Sequence, residues 1–244
     1  MSVETLLFLC AAILVVAFLY SSVGHAGASG YIAVMTLFGL APAVIKPSAL
    51  VLNILVACLA SLQFWRAGHF SWKLFWPFAV SSVPLAFVGG YVNLPTQVFR
   101  IIIGLVLLYS AARFFIRPKP DEEPHLPAKT ISISVGAGLG FLSGLTGVGG
   151  GIFLTPLVIF MRWARTKTAS AVSALFILVN SISGLLGNIT STSQLPFFAL
   201  PLALAAIAGG SVGSYLGSRQ FSPLSIKRLL AIVLAIAGFK LIFT

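Results

Sequence analysis

The chain has 244 residues, of which 59% are hydrophobic and only 8% are charged, and its mean hydropathy is +1.07. A soluble domain has about a quarter charged residues, so this composition excludes an ordinary soluble enzyme, a disordered protein and a secreted disulfide scaffold. The 15 Lys and Arg residues outnumber the 4 Asp and Glu residues. Because they lie between apolar runs instead of in one patch, they indicate the loops of an integral membrane protein and argue against nucleic acid as a partner.

Six apolar runs are long enough to cross a lipid bilayer as single helices, since about 20 apolar residues span its core. They cover residues 48–65, 74–92, 98–116, 168–188, 194–217 and 224–243. Two further regions each contain an apolar piece, a glycine-rich break and a shorter apolar piece: 5–20 with 31–41, and 131–145 with 152–161. Neither piece of these regions is expected to span comfortably alone, so each region predicts a helical hairpin broken at glycines.

The two halves of the chain resemble one another, which indicates an internal duplication. The matches are Phe18-Leu19 with Phe141-Leu142, Gly24 and Gly27 with Gly147 and Gly150, Ser48 and Asn53 with Ser173 and Asn180, and Gly89-Gly90 with Gly209-Gly210. We therefore predict an all-α membrane protein with a first repeat at 1–116, a solvated polar linker at 117–129 and a second repeat at 130–244. Each repeat is predicted to be a glycine-broken hairpin followed by three transmembrane helices.

The basic residues distinguish parallel from inverted repeats, because Lys and Arg favour cytoplasmic loops. In an inverted arrangement, twelve of the 15 basic residues share one side, and only Lys46, Arg100 and Lys240 lie on the other. In a parallel arrangement the basic residues divide almost equally between the two sides. Inverted repeats are therefore favoured, with the linker in the cytoplasm and both termini periplasmic or extracellular. Inverted repeats with broken helices are a transporter design.

The two breaks predict an anion site. Glycine allows positive φ and close approach of a ligand to the backbone, and the free N–H groups at a helix N-terminus bind anions. Candidate substrate-binding residues in and beside the breaks are Gly24, His25, Gly27, Ser29, Thr146, Gly147, Gly149, Gly150 and Gly151; the hydrogen-bonding candidates on the following helices are Ser48, Asn53, Ser173 and Asn180. Close helix packing through small residues, with Asn joining helices, is the alternative interpretation.

The positions of the charged and titratable residues narrow the chemistry. All four acidic residues lie at the N-terminus or in the linker, and this disfavours the intramembrane carboxylates of cation sites and proton relays. His25 either carries a proton or satisfies a loop carbonyl, and Lys46 either attracts an anion at the outer mouth or is an ordinary interfacial lysine. The sequence predicts neither a metal site nor a cofactor.

These residues resemble the TauE/SafE sulfite exporter family, also called the 4-toluene sulfonate uptake permease family. The resemblance rests on Gly24-His25-Ala26-Gly27, on Gly147-Val148-Gly149-Gly150-Gly151, on Ser48-Ala49-Leu50-Val51-Leu52-Asn53 and on Ser173 to Asn180. It implies a bacterial inner-membrane permease for sulfite, organosulfonates or related small sulfur-containing anions. It also implies that the glycine breaks and the two Asn-bearing helices line the path.

The sequence thus predicts an exporter of a small sulfur-containing anion that works by alternating access and is not an enzyme. A passive anion channel is the nearer alternative, because the same architecture can form a pore. A rhomboid-like serine protease is a remote alternative, since Gly27-Ala28-Ser29-Gly30 is similar to its serine motif, but no histidine follows His125 to act as base. The expected partners are the anion and the lipid bilayer, and the sequence leaves open whether the chain forms a homo-oligomer.

Overall fold

The computed structural model describes residues 2–92, 97–116, 121, 123–192 and 197–243, and the regular structure in these residues is entirely helical. In the first half, α1 covers Val3–Ser21, α2 Ala28–Leu37, α3 Pro42–Arg66, α4 Trp72–Tyr91 and α5 Gln97–Ile116. In the second half, α6 covers Lys129–Thr146, α7 Gly151–Phe160, α8 Thr166–Thr192, α9 Leu200–Tyr215 and α10 Pro223–Phe243. A 3-10 turn at Phe197–Ala199 precedes α9, and a π-helical turn at Leu216–Gln220 follows it. The predicted all-α class is confirmed.

Within the described residues, five helical segments are long and apolar enough to cross a membrane, namely Val3–Ser21, Ala43–Arg66, Trp72–Tyr91, Thr166–Thr192 and Phe197–Gln220. The first corrects the sequence-based expectation for α1, because its 19 residues extend about 28 Å at 1.5 Å per residue and suffice alone. The short apolar helices α2 and α7 have 10 residues each. The start of α3 also differs from the prediction, since the helix begins at Pro42 and continues through Pro47. Residues 193–196, where the predicted 194–217 span begins, lie outside the described residues.

Glycines bring the two halves together along closely packed helix pairs. Gly136, Gly140 and Gly144 are spaced four residues apart on α6, and a Cβ on any of them would collide with backbone of α4. In the same way, Gly209 and Gly213 of α9 lie against backbone of α1. Small residues at this spacing permit close helix contact in membranes. The packing is reciprocal, because the first helix of each half lies on the fourth helix of the other, while α3 packs on α8 and α5 on α10.

Loops from both halves meet at one end of the helix bundle, which we call the linker end (residues 67–71, 121, 123–128, 161–165 and 218–222). His69 Nε2 lies 3.1 Å from the backbone oxygen of Ser218, and Lys167 Nζ donates to the same oxygen at 3.3 Å. The backbone N–H of His125 in the linker donates to the oxygen of Arg162 at 3.0 Å. These contacts join the α3–α4 loop to the turn after α9, and the linker to the α7–α8 loop.

Asp121 attaches the linker to this end. It accepts hydrogen bonds from the Thr166 backbone N–H at 3.0 Å and the Thr166 hydroxyl at 2.6 Å, and it forms an ion pair with Lys227 at 2.7 Å. Burial would raise the pKa of Asp121, but the bonds from Lys227 and Thr166 outweigh it and hold the pKa below its ordinary value. Asp121, at the start of the described part of the predicted linker, is therefore half-buried and caps the start of α8; residues 117–120 and 122 lie outside the described residues.

Candidate functional site

Both helix breaks require glycine and both are buried. The first runs over residues 22–27 between α1 and α2, and the second over residues 147–150 between α6 and α7. Gly27 has a φ of +106°, and Gly149 and Gly150 have φ values of +79° and +77°. Other residue types rarely adopt these values. Three of the residues predicted in and beside the breaks are helical, since Ser29 lies in the first turn of α2, Thr146 ends α6 and Gly151 begins α7.

Asn53 of α3 connects the two breaks and is fully buried. Its Oδ1 accepts a hydrogen bond from the Ala28 N–H at 3.0 Å, which caps the start of α2. Its Nδ2 donates to the Ser181 hydroxyl of α8 at 3.0 Å. A Cβ built on Gly149 would lie only 2.6 Å from the same Nδ2. One carboxamide thus contacts the end of the first break, α8 and the middle of the second break, so the two breaks lie side by side.

A second polar link runs from His25 in the first break to the second half. His25 Nε2 lies 2.7 Å from the Thr155 hydroxyl of α7, which also contacts Ser173 Oγ at 2.7 Å and the Gly151 oxygen at 3.0 Å. A hydroxyl has a single hydrogen. That hydrogen goes to Ser173 or Gly151, so Thr155 accepts from His25 and the hydrogen of the neutral imidazole lies on Nε2. The buried Nδ1 then carries a lone pair and has no partner in the described part of the chain.

Two tyrosines complete the packing of the first break. The Ser29 hydroxyl donates to the Tyr20 hydroxyl at 2.9 Å, and the Tyr31 hydroxyl donates to the Ala26 oxygen at 2.6 Å. The Tyr31 ring fills the space into which a side chain at Gly27 would extend. Because Ser29 is bonded to Tyr20 while His25 is bonded to Thr155, the serine–histidine pair of the protease alternative is not formed in this structure.

The glycines of the breaks pack directly on protein atoms. A Cβ on Gly24 would collide with the backbone of Ser170, one on Gly150 would lie 2.9 Å from the Phe176 ring, and one on Gly151 would lie 2.5 Å from Ile177. Close packing through small residues, the alternative stated from sequence, therefore accounts for why no side chain fits here. It does not account for the start of α7, where the N-cap residue is Gly150 and no side chain of the described residues bonds to the first helical N–H groups.

The polar residues predicted as a symmetric pair occupy different environments. Asn53 touches the first residue of α2, but the residue that touches the first residue of α7 is Ile177. Asn180 instead donates to the Phe176 oxygen of its own helix at 2.8 Å. Thr146 likewise bonds within its helix, to the Leu142 oxygen at 2.7 Å. The two halves therefore contribute unequal side chains to the region between the breaks.

Several buried polar atoms around the breaks lack a hydrogen-bond partner within the described residues. They are His25 Nδ1, Ser48 Oγ, Ser143 Oγ, Ser170 Oγ and Asn180 Oδ1. Buried polar atoms are nearly always hydrogen-bonded in proteins, to protein or to a bound molecule. Ser170 lies against Gly24 and Ser143 against Gly150, so unsatisfied hydrogen-bonding capacity is concentrated at the breaks.

Sequence reasoning missed several residues of this site. The repeat alignment drew attention only to residues that match between the two halves. It therefore passed over four residues that have no match, namely Thr155, Ser181, Ser143 and Ser170. The available signal was a polar residue within an apolar run.

In the described residues, no group of three or more His, Cys, Asp or Glu side chains is arranged to hold a metal ion.

The apolar helices, with two broken segments buried side by side, define a multi-pass integral membrane protein of the transporter class. The sequence profile of the sulfite exporter TauE/SafE family matches residues 9–241. The chain belongs to this family. It is 39% identical over 240 residues to the probable membrane transporter protein y4hK of Sinorhizobium fredii, covering 96% of this chain and 97% of that protein.

More distant relatives carry similar descriptions. The chain is 26% identical to the probable membrane transporter protein YunE of Bacillus subtilis, over 83% of this chain and 81% of that protein. It is 25% identical to the probable membrane transporter protein YjnA of the same organism, over 90% of this chain and 92% of that protein. No solved structure matches the chain.

Proposed function

We propose that the protein is a carrier that exports a small sulfur-containing oxyanion, such as sulfite or an organosulfonate, by alternating access across the bacterial inner membrane. The observation that carries this proposal is the side-by-side position of the two buried breaks at Asn53, with partnerless polar atoms around them. The hydroxyls of Ser48, Ser143 and Ser170 are neutral groups that can donate to an oxyanion, as can amide and backbone N–H groups. The partnerless His25 Nδ1 and Asn180 Oδ1 are acceptors and do not contribute to binding the anion.

The start of α7 is the proposed anion contact. Helix N-termini carry free N–H groups and a partial positive charge. At α2 one of these N–H groups is already bonded to Asn53, whereas at α7 the N-cap residue is Gly150 and no side chain of the described residues bonds to the first N–H groups of the helix. The remaining N–H of the Asn53 amide and the hydroxyls of Ser143 and Ser173 lie on neighbouring elements and provide further donors.

The inverted orientation of the halves is part of the proposal. This orientation assigns all the loops of the linker end to one side of the membrane. The contacts among these loops support the assignment. A parallel arrangement would separate Asp121 from Thr166 and Lys227 by the thickness of the bilayer, yet these residues are hydrogen-bonded. The excess of basic residues then makes this side cytoplasmic.

In this proposal, the membrane potential is what favours export over uptake. An inside-negative potential drives a monovalent anion outward by about 2.3 kcal/mol per 100 mV, so the carrier needs no coupled ion. Alternating access requires the two halves to rearrange about the fixed site. The reciprocal packing of each half on the other supplies interfaces along which they can move.

The test is flux of radiolabelled methanesulfonate and sulfite in proteoliposomes. Methanesulfonate is a useful probe because it stays a monovalent anion across the working pH range. A carrier is expected to give saturable flux that is accelerated by an inside-negative potential in the outward direction. Flux that rises linearly with concentration would support the channel alternative, and the absence of flux for sulfite and a panel of sulfonates would refute the proposal.

A further inference from the structure

Lys46 is a basic side chain that lies beside the second break. It lies in the second turn of α3 and is half-buried. A Cβ built on Gly147 would lie 3.1 Å from Lys46 Cγ and 3.8 Å from Cε, so the lysine stem runs along the backbone at the start of the break. Lys46, Leu50 and Asn53 occupy one face of α3, at the i, i+4, i+7 spacing, and all three approach residues 147–149.

The charge of Lys46 is not neutralised by a neighbour. Within residues 2–92, 97–116, 121, 123–192 and 197–243, its side chain makes no hydrogen bond, ion pair or ring contact. At the linker end, by contrast, Lys167 is bonded to the Ser218 oxygen and Lys227 to Asp121. A partly desolvated cation in a membrane protein is costly unless it is paired, and such residues mark ion pathways.

Lys46 lies on one side of Asn53 along the axis of α3. It precedes Asn53 by seven residues, which corresponds to about 10 Å along the helix axis. In the proposed topology this is toward the outer surface. At the first break, the residue packed on Gly24 is the uncharged Ser170, so the two breaks differ in the charge of the side chain that packs on their first glycine.

We propose that Lys46 is the counter-ion of the transported anion on the outer side of the site, where its ammonium binds the sulfonate or sulfite group between the level of Asn53 and the outer surface. This inference rests on the proposed function. The competing role is purely structural, since Gly147 ends α6 and a cation near a helix C-terminus stabilises the helix. The two roles differ in whether substrate affinity, or only stability, depends on the charge.

The test restores the charge chemically. In a background with Cys10→Ala and Cys58→Ala, Lys46→Cys is reconstituted and treated with methanethiosulfonates carrying an ethylammonium or an ethylsulfonate group, which have the same length and opposite charge. For methanesulfonate offered from the outer side, K46C is expected to raise KM about tenfold, as for loss of a charge-assisted hydrogen bond. The ethylammonium label should return KM toward the starting value, and the ethylsulfonate label should raise it further.

Controls separate the two roles. Lys73→Cys, at an exposed position in the first turn of α4, should show no charge dependence with the same reagents. Methanesulfonate should slow the labelling of K46C, which a structural lysine does not explain. If K46C does not fold, Lys46→Arg and Lys46→Met replace it, with unchanged KM expected for arginine and raised KM for methionine.

Each outcome has a defined meaning. Equal effects of the two labels, unchanged KM in K46M, or a change in thermal stability with no change in KM would overturn the role of Lys46 while leaving the proposed function intact. Absence of anion flux in the unmodified protein would refute the proposed function, and this inference with it.

Discussion

Gly149→Ala tests whether the two breaks are held together through Asn53. The φ of Gly149 is +79°. A methyl group there would lie 2.6 Å from Asn53 Nδ2, 2.8 Å from Ile177 and 2.9 Å from Ser181 Oγ. Because atoms cannot approach so closely, the Asn53 amide must move and its bond to Ser181 must break. The substitution therefore acts on the contact between the breaks without altering Asn53 itself.

The expected loss of stability has two parts. An alanine at positive φ costs about 1 kcal/mol, and breaking a buried hydrogen bond while leaving its partner unsatisfied costs about 2 kcal/mol. Gly39→Ala is the matched control, since Gly39 has a φ of +74° but no atom within 4 Å of the Cβ position. That variant should lose only the backbone part. The difference of about 2 kcal/mol corresponds to a fall in melting temperature of roughly 4–8 °C for a chain of this size.

The assay is thermal unfolding of the purified protein in detergent, with methanesulfonate flux measured in parallel. We expect Gly149→Ala to melt several degrees below Gly39→Ala and to lose transport, because the donors of the second break shift with Asn53. Equal melting temperatures in the two variants would refute the account of Asn53 as the link between the breaks.

Three further predictions concern other polar contacts. Asn53→Ala and Asn180→Ala should both lower flux, and normal flux in both would remove the two residues from the path. They should differ in stability: Asn53→Ala should lower the free energy of unfolding by about 2–3 kcal/mol through two lost buried bonds, whereas Asn180→Ala should leave it nearly unchanged. His25→Gln should keep a donor toward Thr155 and melt close to the wild type, while His25→Leu should lose about 1–2 kcal/mol; equal melting temperatures would contradict the assigned bond. Asp121→Asn should cost about 2 kcal/mol at neutral pH, and because the folded pKa of Asp121 is depressed, the difference should shrink progressively as pH falls from about 5 toward 1 and vanish only below the folded pKa. A difference that stays undiminished over this range would argue against the ion pair.

The helices and their breaks were predictable because their signals are local. Long apolar runs identify helices from hydropathy alone, and clustered glycines identify the positions where helices stop. The run at 74–92 became α4 at Trp72–Tyr91 and the run at 224–243 became α10 at Pro223–Phe243. The start of α3 was missed because the apolar run that predicted it begins at residue 48, whereas the helix begins at Pro42 and contains Pro47. Proline is tolerated in the first turn of a helix and, with a local adjustment, further in.

The partners within the site were not predictable, because they depend on which helix faces meet. Nothing in the spacing of Thr155 indicates that it receives the hydrogen bond of His25, 130 residues earlier. The repeat alignment paired Asn53 with Asn180. The residue that contacts the start of α7, as Asn53 contacts the start of α2, is instead Ile177. Asn180 lies three residues, nearly one turn, further along α8. A sequence match between polar residues in a helix therefore located the correct helix without locating the correct face.

The departure from symmetry between the halves bears directly on mechanism. Two identical inverted halves would form a site with the same groups toward each side of the membrane, and the site would favour neither direction of approach. In this protein, His25 lies in the first break and Lys46 lies against the second. The start of α2 is bonded to Asn53, whereas no side chain in the described part of the chain bonds to the start of α7. A fixed cation outside the centre lowers the energy of an anion on that side. If the proposed orientation and carrier mechanism hold, we therefore expect the outward-facing and inward-facing states to have unequal affinities for the same anion.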